Sequence, residues 1–192
     1  MAKLTKLHYN SPLILTFSLI SSLLHVFLEL IGNQAHQLFC SGPTFSFFKI
    51  TDYCSLFLYS LNHINLNHLI GNLSFILLLG PILEEKYGKK DLFIMMMFTV
   101  LISSILNLIF FNQKILGASG IVFMMIMLVS FANIKQGAVP LTVVLVFILF
   151  VGKEIVNSFE EDQVSQFGHI LGGICGSVFG FIAKKNNGES LK

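Results

Sequence analysis

The chain has 192 residues, 54% of them hydrophobic and only 11% charged, with a mean hydropathy of +0.79. A soluble domain of this size needs far more charge to cover its surface, and no stretch has the composition of a separate soluble unit. What remains is a polytopic membrane protein built from bilayer-length apolar runs. The net charge of +2 selects no partner, and no nucleic-acid partner is expected.

In chain order, Met1–Asn10 leads into an apolar run longer than a signal peptide's and without a small-residue cleavage site. Residues 11–31 therefore read as a retained first span. On it, His25 and Glu29 lie one turn apart and read as an interfacial hydrogen-bonded pair rather than a proton relay. Residues 32–65 are rich in Phe and Leu but broken by Gly, Pro, Asn and Asp. They are too polar to cross and too apolar to float, which predicts short amphipathic helices lying in the interface. Cys40 and Cys54 fall here and could pair if this segment faced an oxidising side, but free thiols are the simpler reading. With Cys175 they match no metal-ligand pattern.

Five more spans follow: 66–83, 91–111, 119–134, 140–157 and 167–183. The fold class is an all-α bundle of six transmembrane helices with an interfacial first loop, residues 1–192 forming one domain. The acidic run Glu160-Glu161-Asp162 reads as a solvated loop before the last span. All twelve basic residues are lysines. With six spans, nine of them share one side with both termini, whereas Lys49, Lys114 and Lys153 lie on the other. That asymmetry predicts cytoplasmic termini.

Three polar residues then fall at one depth. His68 lies 16 residues from Glu84, Ser119 lies 16 from Lys135, and His169 lies 15 from Lys184. At about 1.5 Å per residue, each stands roughly 23–24 Å above its charged inner anchor, a few ångströms below the outer surface of a core about 30 Å thick. Gly172, Gly173, Gly176 and Gly180 follow His169 on one helical face, a small-residue stripe that lets helix backbones approach closely. Asn72 lies one turn below His68, and Phe123 one turn below Ser119.

Each residue alone has a bland reading, most of all a serine bonded back to its own helix. Together, a serine and a histidine at one level are the minimum for an activated nucleophile. Gly117 and Gly120 flank Ser119, and Gly117 permits a sharp entry into the helix. The first-turn N–H groups point where an oxyanion would form, with His68 and Asn72 as further donors. No carboxylate lies near this level on spans two, four or six, so a Ser119–His169 dyad is expected rather than a triad, with Phe123 stacked on the imidazole in the orienting role an aspartate has in soluble serine proteases.

These residues carry a family likeness. The chain resembles the rhomboid intramembrane serine proteases of the bacterial six-span type. "GASG" matches the family's G-x-S-G with Ser119 as nucleophile, and "GHILGG" its histidine motif with His169. "HINLNHLIGN" matches its paired histidines and asparagine, His63, His68 and Asn72, and "GPILEEKYG" supplies Gly80, Glu84 and Gly88. Two positions depart: the family's Trp-Arg pair falls at Cys54-Ser55, and its usual tyrosine is Phe123. The resemblance implies cleavage of single-span or polytopic membrane-protein substrates within the lipid bilayer, in a bacterial inner membrane, without metal or cofactor. A catalytically inactive relative that binds membrane clients is the alternative, although it would normally lack Ser119 or His169. A metal or haem protein using His63, His68 and His169 leaves the glycines around Ser119 unexplained. A small transporter would need an inverted repeat, which is not visible.

Overall fold

Proline at its first position favours helix entry, and α1 runs from Pro12 to Ile31. Its N-cap, Ser11, makes no side-chain cap hydrogen bond. The first-turn amides of Leu13 and Ile14 instead donate to the two carboxylate oxygens of Glu84, at 3.0 and 3.1 Å. A Cβ on Gly80, one turn earlier than Glu84, would lie 2.6 Å from Ile14 Cδ1, so only glycine lets α1 seat this closely. Gly80 and Glu84, one turn apart, thus dock the first helix. The computed structural model describes residues 9–111, 113–132 and 163–189, together with 141, 144, 145 and 148.

The segment after α1 contains α2 (Asn33–His36), a 3₁₀ turn (Gln37–Phe39) and α3 (Ile50–Leu58). Its Leu38, Phe47, Phe48 and Ile50 are all strongly exposed, as short amphipathic helices require. Cys40, Cys54 and Cys175 are free thiols. Ser41 exchanges both backbone hydrogen bonds with Ile115, at 3.0 and 2.8 Å, tying this segment to the loop that precedes Ser119.

Asn65 caps α4 (Leu66–Tyr87) by accepting from the His68 N–H at 2.8 Å. Then α5 occupies Lys89–Phe110. The expected loop 84–90 is helix throughout except at Gly88, whose φ of 81° makes the whole turn. Charge alone suggested a loop there, but Glu84 is buried and its carboxylate is consumed by α1. It is therefore no solvent-facing anchor from which depth can be counted.

Helix α6 (Ser119–Ala132) is short and central, with Met124, Met125 and Leu128 fully buried, as is Ala118 just before it. It is flanked by α4, α5 and α7 (Gln163–Glu189), while α1 packs on the outer face of α4. Helices α1, α4 and α5 are long and apolar enough to cross a membrane, and α6 and α7 carry shorter apolar stretches, Ser119–Ser130 and Phe167–Ala183. The expected fifth span, apart from positions 141, 144, 145 and 148, lies outside the described residues, as do the loop 135–139 and Glu160-Glu161-Asp162.

Candidate active site

The glycine stripe accounts for the tightest contact in the fold. A Cβ on Gly172 would lie 2.9 Å from the carbonyl carbon of Gly120 and 3.0 Å from its Cα, and one on Gly176 would lie 3.0 Å from the Met124 carbonyl carbon. Gly120 in turn faces the Gly168 carbonyl oxygen at 3.4 Å from its own Cβ position. Helices α6 and α7 therefore touch backbone to backbone, with no side chain between Ser119's turn and that of His169. Phe123 stacks on His169, ring centroids 4.4 Å apart and planes 8° from parallel. Phe123 lies one turn after Ser119 on α6, so its ring sets the plane of the imidazole beside the serine's own helix.

The entry to α6 is built with equal care. Gly117 has a φ of 109°, which favours glycine, and its N–H donates to Tyr59 O at 2.9 Å. The next amide, Ala118 N–H, donates to Nε2 of His63 at 3.4 Å. The ring's Nδ1 lies 3.2 Å from Leu61 O, which puts the ring proton on Nδ1. His63 is fully buried. Burial, and secondarily the neighbouring His68, lower its pKa from 6.5 to about 4, so it stays neutral and able to accept. Helix hydrogen bonding begins at Val122 N–H to Ala118 O, leaving the amides of Ser119, Gly120 and Ile121 without intrahelical acceptors.

His68 and Asn72 come to the same place from α4. A Cβ on Gly117 would lie 2.7 Å from His68 Cε1, 3.0 Å from its Nε2 and 3.7 Å from Asn72 Nδ2. Asn72 is buried, and its Nδ2 has no hydrogen-bond partner among the described residues. An unpaired buried amide donor is costly, and this one sits beside the Gly117–Ser119 turn.

A cavity of about 400 Å³ opens against this turn, lined in part by His68, Gly117, Ser119, Gly120 and Gly168. Neither Asn72 nor His169 is part of its wall. Helix α5, to which the sequence reading assigned nothing, contributes Ser103 and Asn107, and the end of α3 contributes Tyr59. Asn107 Nδ2 donates to Gln113 O at 2.9 Å, and the Tyr59 hydroxyl donates to Val100 O at 3.0 Å, with burial pushing its pKa up. Both brace the loop that delivers Ser119. Thr99, Ser103 and Asn107 recur every four residues on a largely apolar helix, a polar stripe in a membrane span that signals function or tight contact.

The family model for the rhomboid domain matches residues 51–186, more than two thirds of the chain. The chain belongs to the rhomboid family. It is a membrane protein, and rhomboids are generally intramembrane serine proteases that act on membrane-protein substrates within the bilayer. No curated protein matches this rhomboid significantly. At the Trp-Arg departure, Cys54 is exposed and the Ser55 hydroxyl donates to Asp52 O at 2.7 Å. Among the described residues no side-chain hydrogen bond carries those positions beyond α3, and the Ser41–Ile115 bridge supplies a tie between the first loop and the α6 entry.

Proposed function

We propose that this rhomboid is an active intramembrane serine endopeptidase working through a Ser119–His169 dyad. The observation that carries the reading is the stacked Phe123–His169 pair, one turn from a serine on the wall of a cavity. His169 accepts the Ser119 hydroxyl proton as the oxygen attacks a substrate carbonyl carbon. The developing oxyanion meets first-turn amides of α6 together with the Asn72 amide and His68. His169 then protonates the departing amine, leaving an acyl-serine. Water entering through the cavity loses a proton to His169, attacks the ester and frees the serine.

No metal or cofactor takes part in this chemistry. Gly117, Gly120, Gly172, Phe123 and His63 act as supports that fix the turn, the helix spacing and the imidazole plane. The substrates are single-span or polytopic membrane proteins. The lysine asymmetry supports a bacterial inner-membrane topology with both termini cytoplasmic.

A fluorophosphonate probe applied to the full-length protein in detergent tests the assignment. Modification is expected at Ser119 and absent from Ser119→Ala. Ser119→Ala, His169→Ala and the double variant should lose cleavage of a transmembrane reporter to the same degree, because dyad partners act as one unit. Labelling confined to another residue, or additive losses, would remove the dyad.

A further inference from the structure

A second cluster lies where α2 folds back on the end of α1. His25 and Glu29 do not form the hydrogen bond their spacing suggested: His25 Nε2 and Glu29 Oε1 stand 4.0 Å apart. A third group shares the space. After Gly32, with φ of 108°, the chain reverses, and His36 brings its Nε2 to 3.6 Å from the same Glu29 oxygen. The two imidazoles meet edge to face, centroids 5.9 Å apart. One ligand atom from each of the three residues lies within 4.8 Å of the others.

Both imidazoles are buried, at 4% and 7% exposure, whereas the Glu29 side chain is 49% exposed. His36 Nε2 and His25 Nδ1 have no hydrogen-bond partner among the described residues, a costly state for buried polar atoms. The tautomer of His36 follows from Asn62. The Asn62 Nδ2 donates to His36 O at 2.9 Å, so its Oδ1 is the acceptor that lies 2.8 Å from His36 Nδ1. The ring proton is therefore on Nδ1, and Nε2 presents a bare lone pair toward Glu29. An outer hydrogen bond that fixes tautomer and ring plane in this way is what prepares a histidine to ligate a metal.

We propose that His25, Glu29 and His36 bind a divalent transition-metal ion of the zinc class, at a site that shares no residue with the dyad. Two neutral imidazoles and one carboxylate suit borderline metals and not calcium or magnesium, which take oxygen ligands. Ligand bonds of about 2.0–2.1 Å in a tetrahedron place donor atoms roughly 3.3 Å apart. The three ligand atoms already lie within 4.8 Å of one another, and the present 3.6 and 4.0 Å close to that spacing by a swing of the half-exposed Glu29 together with small rotations of the two rings, the open side at Glu29 leaving the fourth position to water. The ion's role is to clamp α2 onto α1. Asn62, which orients His36, adjoins His63, whose ring holds the Ala118 amide. The clamp thereby stiffens the segment that carries the Ser119 turn.

The test uses tag-free full-length protein in detergent, stripped with chelator, desalted and titrated with zinc alone. Bound metal is read by equilibrium dialysis and elemental analysis, and thermal unfolding is followed in parallel. The wild type should bind zinc and melt at a higher temperature with it, while calcium and magnesium leave the melt unchanged. Glu29→Gln, an exposed change that spares the fold, and His36→Gln should each weaken zinc binding by at least tenfold, and Asn62→Leu by about 10–100-fold. His169→Gln should bind zinc as the wild type does. Absence of zinc binding, unchanged binding in Glu29→Gln, or binding lost in His169→Gln would each overturn the assignment.

Discussion

The backbone contact between α6 and α7 makes a sharp demand on Gly172. Adding one methyl there puts a carbon 2.9 Å from the Gly120 carbonyl carbon and 3.0 Å from its Cα, where ordinary contact starts near 3.4 Å. The Gly120 carbonyl oxygen would be closer still, and all three atoms are main chain, so nothing can rotate away. The helices must part by at least about half an ångström, and overpacking of this kind costs about 1–3 kcal/mol. The displaced helix carries His169 and the fixed one carries Ser119. Since a misplacement of about 1 Å can cost 10²-fold in rate, Gly172→Ala should lower kcat by about 10–100-fold with helix content unchanged. The neighbouring Gly173→Ala is the control, because among the described residues its added methyl would meet only Met127 Cγ at 3.8 Å. It should keep wild-type kcat. Reporter cleavage in proteoliposomes, with far-ultraviolet circular dichroism on the same samples, decides the matter. A fully active Gly172→Ala, or equal damage from Gly173→Ala, would refute the argument that this contact sets the dyad geometry.

Three further outcomes are expected. Asn72→Ala should reduce kcat by about 10²–10³ with KM nearly unchanged and Ser119 still labelled, more slowly, by fluorophosphonate. A raised KM at normal kcat would make Asn72 a substrate-binding residue instead. Glu84→Leu strips acceptors from two buried amides and should cost at least about 3 kcal/mol, hydrogen bonds to a charged group being worth about 1.5–3 kcal/mol each. Glu84→Gln, which keeps one acceptor oxygen, should cost less in detergent melts. His63 has its folded pKa depressed to about 4, so between there and about 6.5 only the unfolded chain holds the proton. Stability is intact above that window and falls as pH drops through it, by up to about 3 kcal/mol. Melts of His63→Gln should lose that slope, and a slope identical to wild type would contradict the buried neutral imidazole.

The parts of this site that were legible in the sequence are those whose cause is local. Gly117 needs a positive φ, Phe123 shares a face with Ser119, and the stripe after His169 repeats at helical spacing. Each follows from a few adjacent residues. The depth argument put His68, Ser119 and His169 at one level by a partly faulty route, because Glu84 was counted as an exposed charge. Its partners are 70 and 71 residues away, and no local pattern reveals a carboxylate that caps another helix. The same holds for Tyr59, Ser103 and Asn107, which become cavity wall only once α3 and α5 are placed. His36 was hidden for a related reason. It stands in a segment that composition marks only as short amphipathic helices at the interface, and only the reversal at Gly32 brings it to Glu29.

The pairing of Glu84 with the start of α1 also sets an order of events during synthesis. When α1 leaves the ribosome, the acceptor for its first amides has not yet been made. At about 5–20 residues per second, the intervening 70 residues take roughly 4–14 s. Throughout that interval the amides of Leu13 and Ile14 can be satisfied only by water or lipid headgroups, which holds the N-terminal end of α1 at the membrane surface. The helix is released from that position when α4 arrives with its carboxylate, and Gly80 allows the two to close. A chain halted before residue 84 would therefore leave its first helix anchored at the surface and undocked.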